Sequence, residues 1–333
     1  MENIENLKQL LSIPKDIVIT THRNPDGDAI GSSLALYHLL IQDGHTVHVI
    51  TPSEYPSNFE WMAGVEKILI YDIHTEKANE VLDKANIIFA LDFNSLDRID
   101  KLGEYVMPLK AKFVMIDHHL YPEPFADFML SETSASSTCE LVYEFIGMLG
   151  KKRNLNIDIG NAIYTGISTD TGSFRYSTNP RVFTIVSELI ALGINDVAIQ
   201  DNIYNSLSFK QLSLIGHSLN NRIEILPEYK AGIIYLTKKD FEDFTIQRGD
   251  TEGIVNYLLM LKDLKIAIFI TEQPNIVKLS LRSKGDFSVQ EICRKYFNGG
   301  GHKNASGGFS HKNLKATIQQ VKEILEEYKN ILK

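Results

Sequence analysis

The sequence predicts an α/β protein of two domains, the first a mostly parallel sheet flanked by helices and the second a smaller α+β domain. Three observations support this. A chain of 333 residues is long for one hydrophobic core. Its first half alternates short apolar runs with helical patterns. Strand patterns then resume after a polar, weakly patterned stretch near residue 200.

The strands expected in the first half are Ile17 to Thr20, Val47 to Ile50, Ile87 to Leu91 and Phe113 to Ile116, each four or five residues rich in Ile, Val or Phe. The clearest helix begins at Asp28 as N-cap, runs through Leu34, Leu36 and Leu40, and stops near Gly44. After the polar connector GKKRNL, residues from Ile157 to Ser168 read as helical, and Pro180 to Leu192 forms a helix ended by Gly193. Residues 196–225 read as a helical linker. Strands then follow at Lys230 to Thr237, Lys265 to Thr271 and Ile276 to Leu281, with helices near Thr251 to Leu261 and Leu314 to Tyr328. The expected division is therefore a first domain over 1–195, the linker, and a second domain over 226–333, with a cleft between the domains.

Composition narrows the function. With 44% hydrophobic and 23% charged residues the whole chain should fold. No apolar run approaches the roughly 18 residues that span a bilayer, so a cytoplasmic protein that avoids membranes is expected. Cys139 and Cys293 stand far apart and read as free thiols. A net charge of −8 argues against a protein that coats long duplex nucleic acid. One stretch is locally basic: Lys278, Arg282, Lys284, Arg294, Lys295 and Lys303 are opposed only by Asp286 and Glu291, which suits a small anionic ligand.

Four segments carry candidate chemistry. In ITTHRNPDGDAIGSS, His22, Asp26 and Asp28 directly follow a strand and precede a helix, where open α/β sheets line their ligand crevice. Asn24 to Gly27 also has the composition of a plain turn, and Asp28 that of a plain helix cap. Asp92 ends the strand of IIFALDFNS, and alone it reads as a turn residue. Asp117, His118 and His119 end the next strand in FVMIDHHLYP. Two imidazoles beside a carboxylate at a strand end suit a metal or phosphate. Asp170 lies in TGISTDTGSFRYS among small residues, Gly166 and Gly172 allowing close backbone approach. The sheet brings His22, Asp26, Asp28, Asp92, Asp117 and His118 to one edge, where converging carboxylates need cations. An Asp/His set dominated by oxygen donors favours Mn²⁺ over Mg²⁺ or Co²⁺, and a pair of such ions is a standard device for phosphoryl hydrolysis.

In the second domain, Gly299, Gly300 and Gly301 followed by His302 offer uncovered backbone N–H groups to an anion, although three glycines also suit a flexible hinge. Arg282 in LSLRSK lies in the basic stretch and reads either as a phosphate contact or as an exposed strand arginine.

Taken in order, H-x-x-x-D-x-D, then D, then DHH, then D resembles the DHH phosphoesterase family. HRNPDGDAIGSS, DHH and STDTGSF look like its catalytic motifs, and FNGGGHKNASGG like the glycine-rich motif of its associated substrate-binding domain. The resemblance spans nearly the whole chain. It implies that His22, Asp26 and Asp92 hold one metal, that Asp28, Asp92, His118 and Asp170 hold the other, and that Asp92 bridges them. It implies catalytic roles for His119, facing the phosphate, and for Asp117, orienting a ligand. It further implies that Arg282, Gly299 to Gly301, His302 and Asn304 bind substrate.

The implied activity is hydrolysis of short oligoribonucleotides or of the small nucleotide pAp by an activated water attacking phosphorus in line, with no covalent intermediate. The implied assembly leaves room for a homodimer. Rivals are weaker. An inorganic pyrophosphatase of this superfamily resembles DHR and lacks GGGH. A single-strand exonuclease of the RecJ type carries extra nucleic-acid-binding segments, and a cyclic-dinucleotide phosphodiesterase carries membrane and sensor segments ahead of a motif that here begins at residue 22. Linear dinucleotides remain open as substrates, and a non-catalytic nucleotide sensor is disfavoured by the complete ligand set.

Overall fold

In the computed structural model, which describes residues 1, 3–247 and 249–332, the chain divides into two compact units, 1–206 and 207–333. The first is built on six parallel strands: β1 (Asp16–Thr21), β2 (Thr46–Thr51), β3 (Leu69–Ile70), β4 (Ile87–Leu91), β5 (Lys112–Asp117) and β6 (Phe128–Ser131). Their order is β3-β2-β1-β4-β5-β6. The chain therefore winds outward from β1 in one direction and from β4 in the other. The switch lies between β1 and β4, and the carboxyl ends of such a pair open a crevice.

Alternate residues of these strands feed two cores. Ile17, Ile19, Phe89, Val114 and Ile116 pack with the helices Gly27–Gln42, Thr138–Met148, Ile157–Asp170 and Pro180–Leu192. Val18, Ile50, Ile88, Ala90 and Phe113 pack with Thr75–Leu82 and Lys101–Val106. Burial on both faces explains why these strands read as unbroken apolar runs. The Gly27–Gln42 helix is buried over nearly its whole length, and two glycines allow that. A Cβ on Gly31 would lie 2.5 Å from the Ala162 carbonyl, and one on Gly166 would lie 2.2 Å from Cys139 Sγ.

The helix beginning at residue 27 corrects one expectation. Its N-cap is Asp26, whose carboxylate accepts from the N–H groups of Asp28 and Ala29, while Asp28 sits inside the first turn. The helix expected to end at Ser168 continues to Asp170, and Pro180–Leu192 ends as expected at Gly193 in the left-handed conformation. Strands β3 and β6 are short edge strands that sequence reasoning did not find.

The second unit holds β7 (Ile223–Leu226), β8 (Ala231–Leu236), β9 (Ile266–Glu272), β10 (Val277–Ser283), β11 (Gly300–His302) and β12 (Ala305–Ser310), in the order β11-β12-β10-β9-β8-β7. Only β8 and β9 pair in parallel. Ile266, Ile268 and Ile270 point to the face covered by the helices Val289–Tyr296 and Leu314–Leu332, whereas Ala267 and Phe269 point to the face covered by Phe209–Asn221 and Ile254–Leu259. The stretch expected as a linker is shared out. Its helix Asp196–Tyr204 belongs to the first unit, its helix Phe209–Asn221 to the second, and its end forms β7. Among the described residues no single helix is long and apolar enough to cross a membrane.

The GGGH stretch, read from sequence as an anion-binding segment with a flexible hinge as the alternative, contains edge strand β11 in a hairpin with β12. Two of its glycines are demanded by that hairpin. A Cβ on Gly299 would lie 1.9 Å from the Gly307 carbonyl, and Gly301 adopts φ +135°. Gly300 has nothing within 4 Å of an added Cβ and no left-handed φ. Chemical denaturation should therefore show Gly299→Ala destabilised by about 1–3 kcal/mol or more, because backbone must move. Gly300→Ala should stay within about 0.5 kcal/mol of the parent. Equal losses in both would contradict this division.

Candidate metal centre

All the charged groups singled out in the first unit converge at the carboxyl ends of β1, β4 and β5. His22, Asp26 and Asp28 lie on the turn after β1 and the first turn of the helix it enters. Asp92 follows β4 immediately, and Asp117 is the last residue of β5, with His118 and His119 next. Asp170 arrives from elsewhere, as the last residue of the Ile157–Asp170 helix. A carboxylate at a helix C-terminus faces the negative end of the dipole, which makes that position costly for an anion and favourable for a cation.

Asp92 is the hub. It is 2% exposed, and its left-handed backbone, φ +63°, is tied by its N–H to the Ile116 carbonyl at 3.1 Å. One carboxylate oxygen, Oδ2, lies 3.3 Å from His22 Nε2. The other, Oδ1, lies 3.6 Å from His118 Nε2 and 3.7 Å from His119 Nδ1. His22 Nε2 is also 3.9 Å from Asp26 Oδ1, and His118 Nε2 is 3.7 Å from Asp28 Oδ2 and 3.2 Å from Asp170 Oδ2. Three trios of this unit, His22/Asp26/Asp92, Asp28/Asp92/His118 and Asp92/Asp117/His119, each have ligand atoms within 4.8 Å of one another.

The supports around these groups fit metal ligation. His22 Nδ1 meets the Arg23 carbonyl at 2.9 Å and His118 Nδ1 the Ala135 carbonyl at 3.3 Å. As Nδ1–H donors they turn Nε2 toward the carboxylates, the arrangement that orients ligating imidazoles. Asp28 is fully buried and anchored by the N–H groups of Thr138, at 2.6 Å, and Cys139, at 2.8 Å. Asp117 does not share this pattern. Its carboxylate accepts from the His119 backbone N–H at 2.8 Å and pairs with His119 Nδ1 at 2.7 Å, so it orients His119.

Electrostatics show how much negative charge is gathered here. Burial, reinforced by Asp92 and Asp170, raises the Asp28 carboxyl well above its usual range. Burial raises Asp170 to about 6, with Asp26 adding to the effect and His118 opposing it. Burial likewise lifts Asp117 to about 6, with the Asp92 charge adding to it. Asp92 goes the other way: burial opposes, but His22, His119 and His118 hold it well below the usual carboxylate range. Burial opposes the charging of His118 too, yet Asp170, Asp28 and Asp92 push it well above the usual histidine value. His119 is depressed, by burial first and then by the Arg98 charge. Protons thus neutralise what divalent cations would neutralise better.

The residues expected to bind substrate lie in the second unit. Arg282 on β10 pairs in register with Ala305 on β12, and Ala305 pairs with His302 on β11. Directly paired residues share a face, so Arg282 and His302 flank Ala305 two strand spacings apart, about 9.5 Å. Arg282 Nη1 donates to the Leu281 carbonyl at 3.0 Å, and among the described residues no carboxylate pairs with it. Asn304 sits beside them. Its amide donates to Ser283 Oγ and to the Gly285 and Phe287 carbonyls, which fastens the hairpin turn.

Sequence reasoning missed the Thr138–Met148 helix and its contribution to the site. The signal was present: Ser137, three residues before Glu140, is the N-cap and accepts from the Glu140 N–H.

Comparison with known proteins finds relatives over both units. Residues 16–167 match the DHH family, N-terminal domain, and residues 231–333 match the DHHA1 domain. A crystal structure of an exopolyphosphatase-related protein from Bacteroides fragilis is 39% identical, with a TM-score of 0.94 over 99% of this chain and 97% of that one. Two proteins described as bifunctional oligoribonuclease and PAP phosphatase NrnA are each 28% identical over 90% of this chain. One, from Thermus thermophilus, is covered over 85% of its length, the other, from Bacillus subtilis, over 91%.

Metal binding to such a cluster must displace protons. The raised carboxylates Asp28 and Asp170 and the raised His118 favour the protonated, metal-free fold at low pH, and that contribution fades as pH rises through about 6, where Asp170 titrates. Mn²⁺ should therefore raise the melting temperature more at pH 7.5 than at pH 5. An increment independent of pH in thermal melts would place the ion elsewhere.

Proposed function

Because the chain belongs to the DHH phosphoesterase family, carrying both its N-terminal domain and a DHHA1 domain, we propose that it hydrolyses short oligoribonucleotides and pAp with a pair of divalent ions. Mn²⁺ suits the oxygen-rich Asp/His donors best. The observation that carries the reading is the Asp92 carboxylate, which turns one oxygen to His22 and the other to His118. One such group can serve both subsites: His22, Asp26 and Asp92 on one side, and Asp28, Asp92, His118 and Asp170 on the other. A bound ion pair supplies activated water at neutral pH and stabilises charge on the leaving oxygen.

The chain's own residues do the rest. Asp117 holds His119 in one orientation, and His119 meets the substrate phosphate. Arg282 and His302 grip a phosphate or sugar on the second unit, with Gly300 giving the ligand room to approach. Small substrates with more than one anionic group suit this division of labour better than long polymers do. A homodimer is compatible with this reading.

The test is a parallel Mn²⁺ assay of pAp, a labelled dinucleotide, a longer RNA, pyrophosphate and a cyclic dinucleotide. Turnover of pAp and the dinucleotide should far exceed that of the longer RNA and pyrophosphate. Preference for the cyclic dinucleotide or equal rates on the long strand would overturn the substrate assignment.

The two sets of residues should also fail differently. Arg282→Ala or His302→Ala deletes a charge-assisted hydrogen bond worth about 1.5–3 kcal/mol, so kcat/KM on nucleotides should fall roughly 10- to 150-fold with bound metal unchanged. Hydrolysis of p-nitrophenyl phosphate, which has no second group to grip, should change much less. Equal losses on both substrates, or loss of metal, would put these residues in the wrong role.

A further inference from the structure

The Thr138–Met148 helix reaches the metal centre with its first residue, and that residue touches two of the proposed ligands at once. Thr138 is fully buried. Its backbone N–H donates to Asp28 Oδ2 at 2.6 Å, and its hydroxyl donates to Asp92 Oδ1 at 3.0 Å. Asp28 belongs to the subsite with His118 and Asp170, whereas Asp92 is shared. We propose that Thr138 is a positioning residue that sets the rotation of the Asp92 carboxylate, and so holds one of its oxygens toward each metal subsite.

A carboxylate on an aspartate rotates in a broad torsional well, so burial alone does not choose its plane. The hydroxyl does. With Oδ1 held by Thr138, Oδ1 faces His118 Nε2 and Oδ2 faces His22 Nε2. A turn of the carboxylate about its bond would lift both oxygens from the imidazoles that define the two subsites.

Thr138 is itself held firmly. Ser137 caps the helix by accepting from the Glu140 N–H, and the Glu140 carboxylate accepts from the Ser136 N–H at 2.6 Å. Asn179, the N-cap of the Pro180–Leu192 helix, donates its amide to the same carboxylate. The Cys139 N–H donates to the second oxygen of Asp28, which keeps the helix end in register with the ligand. Of the two bonds that Thr138 makes to the proposed ligands, the hydroxyl's is the one that a substitution at Thr138 can remove while leaving the backbone donor in place.

The inference rests on the reading of Asp92 as the shared ligand, and the experiment separates the two. Mn²⁺ affinity is measured by calorimetric titration, alongside kcat, KM and the metal-free melting temperature, in the full chain and in Thr138→Val, Thr138→Ser and Asp92→Asn. Thr138→Val keeps shape and backbone but loses the donor. Its Mn²⁺ affinity should fall about 10- to 100-fold, the range typical when a group that orients a metal ligand is removed. The activity loss should appear in kcat rather than KM, shrink with excess Mn²⁺, and be largely restored in Thr138→Ser. The metal-free melting temperature should barely move. If the valine disturbs packing, Thr138→Ala gives the same readout.

Unchanged Mn²⁺ affinity in Thr138→Val, or a loss that Thr138→Ser does not repair, overturns the role of the hydroxyl. If Asp92→Asn binds Mn²⁺ as tightly as the parent, the shared-ligand reading fails and the role of Thr138 falls with it. If Asp92→Asn loses binding while Thr138→Val does not, only the inference about Thr138 fails.

Discussion

One buried carboxylate sets the demands that the rest of the first unit meets. Asp92 sits between the imidazoles of His22 and His118 at the point where the sheet changes winding direction, held in a left-handed conformation that aspartate tolerates better than most side chains. A buried charge needs compensation. Here it comes from three imidazoles, from the Thr138 hydroxyl and, in the proposed reading, from cations. Strands β1 and β5 flank β4 and end at the same level, so His22 and His118 can approach Asp92 from opposite sides.

Close helix packing completes the arrangement. Gly166 lets the Ile157–Asp170 helix approach near enough that an added Cβ would lie 2.6 Å from Asp28 Oδ1, so the same contact that packs the core also brings Asp170 to the site. The buried thiol of Cys139 fills the space beside Gly31 and Gly166, and burial, with Asp28 nearby, pushes it well above the usual thiol range. It is a packing group with no free thiolate to offer a metal. The close packing of that corner and the chemistry of the site are therefore one constraint.

Much of this could be read from the chain because strand ends punctuate it. Ile87–Leu91 is an unbroken apolar run stopped by a charge, and so is the run that ends at Asp117, so both the strands and their functional residues were legible. Turn chemistry at Asp26 was legible too, but not which aspartate would cap: Asp26 caps the helix while Asp28 is buried against the next element. What escaped was long-range. The strand order at β1 and β4, the arrival of the Thr138–Met148 helix beside Asp28, and the pairing of Gly300 with Gly307 depend on contacts between segments far apart in sequence, for which local periodicity carries no signal. The strand character of the glycine triplet escaped for a related reason. Three glycines in a row suit a loop, and only the close approach of the Gly307 carbonyl makes Gly299 a strand residue's neighbour.

The central claim, that Asp92 is shared by two cations, is tested most directly by growing crystals with Mn²⁺ and recording anomalous diffraction at the manganese edge. The account predicts two peaks about 3.5–4 Å apart, one on each side of the Asp92 carboxylate, with His22 and Asp26 at one and Asp28, His118 and Asp170 at the other. A single peak, or ions that leave Asp92 uncoordinated, would contradict it.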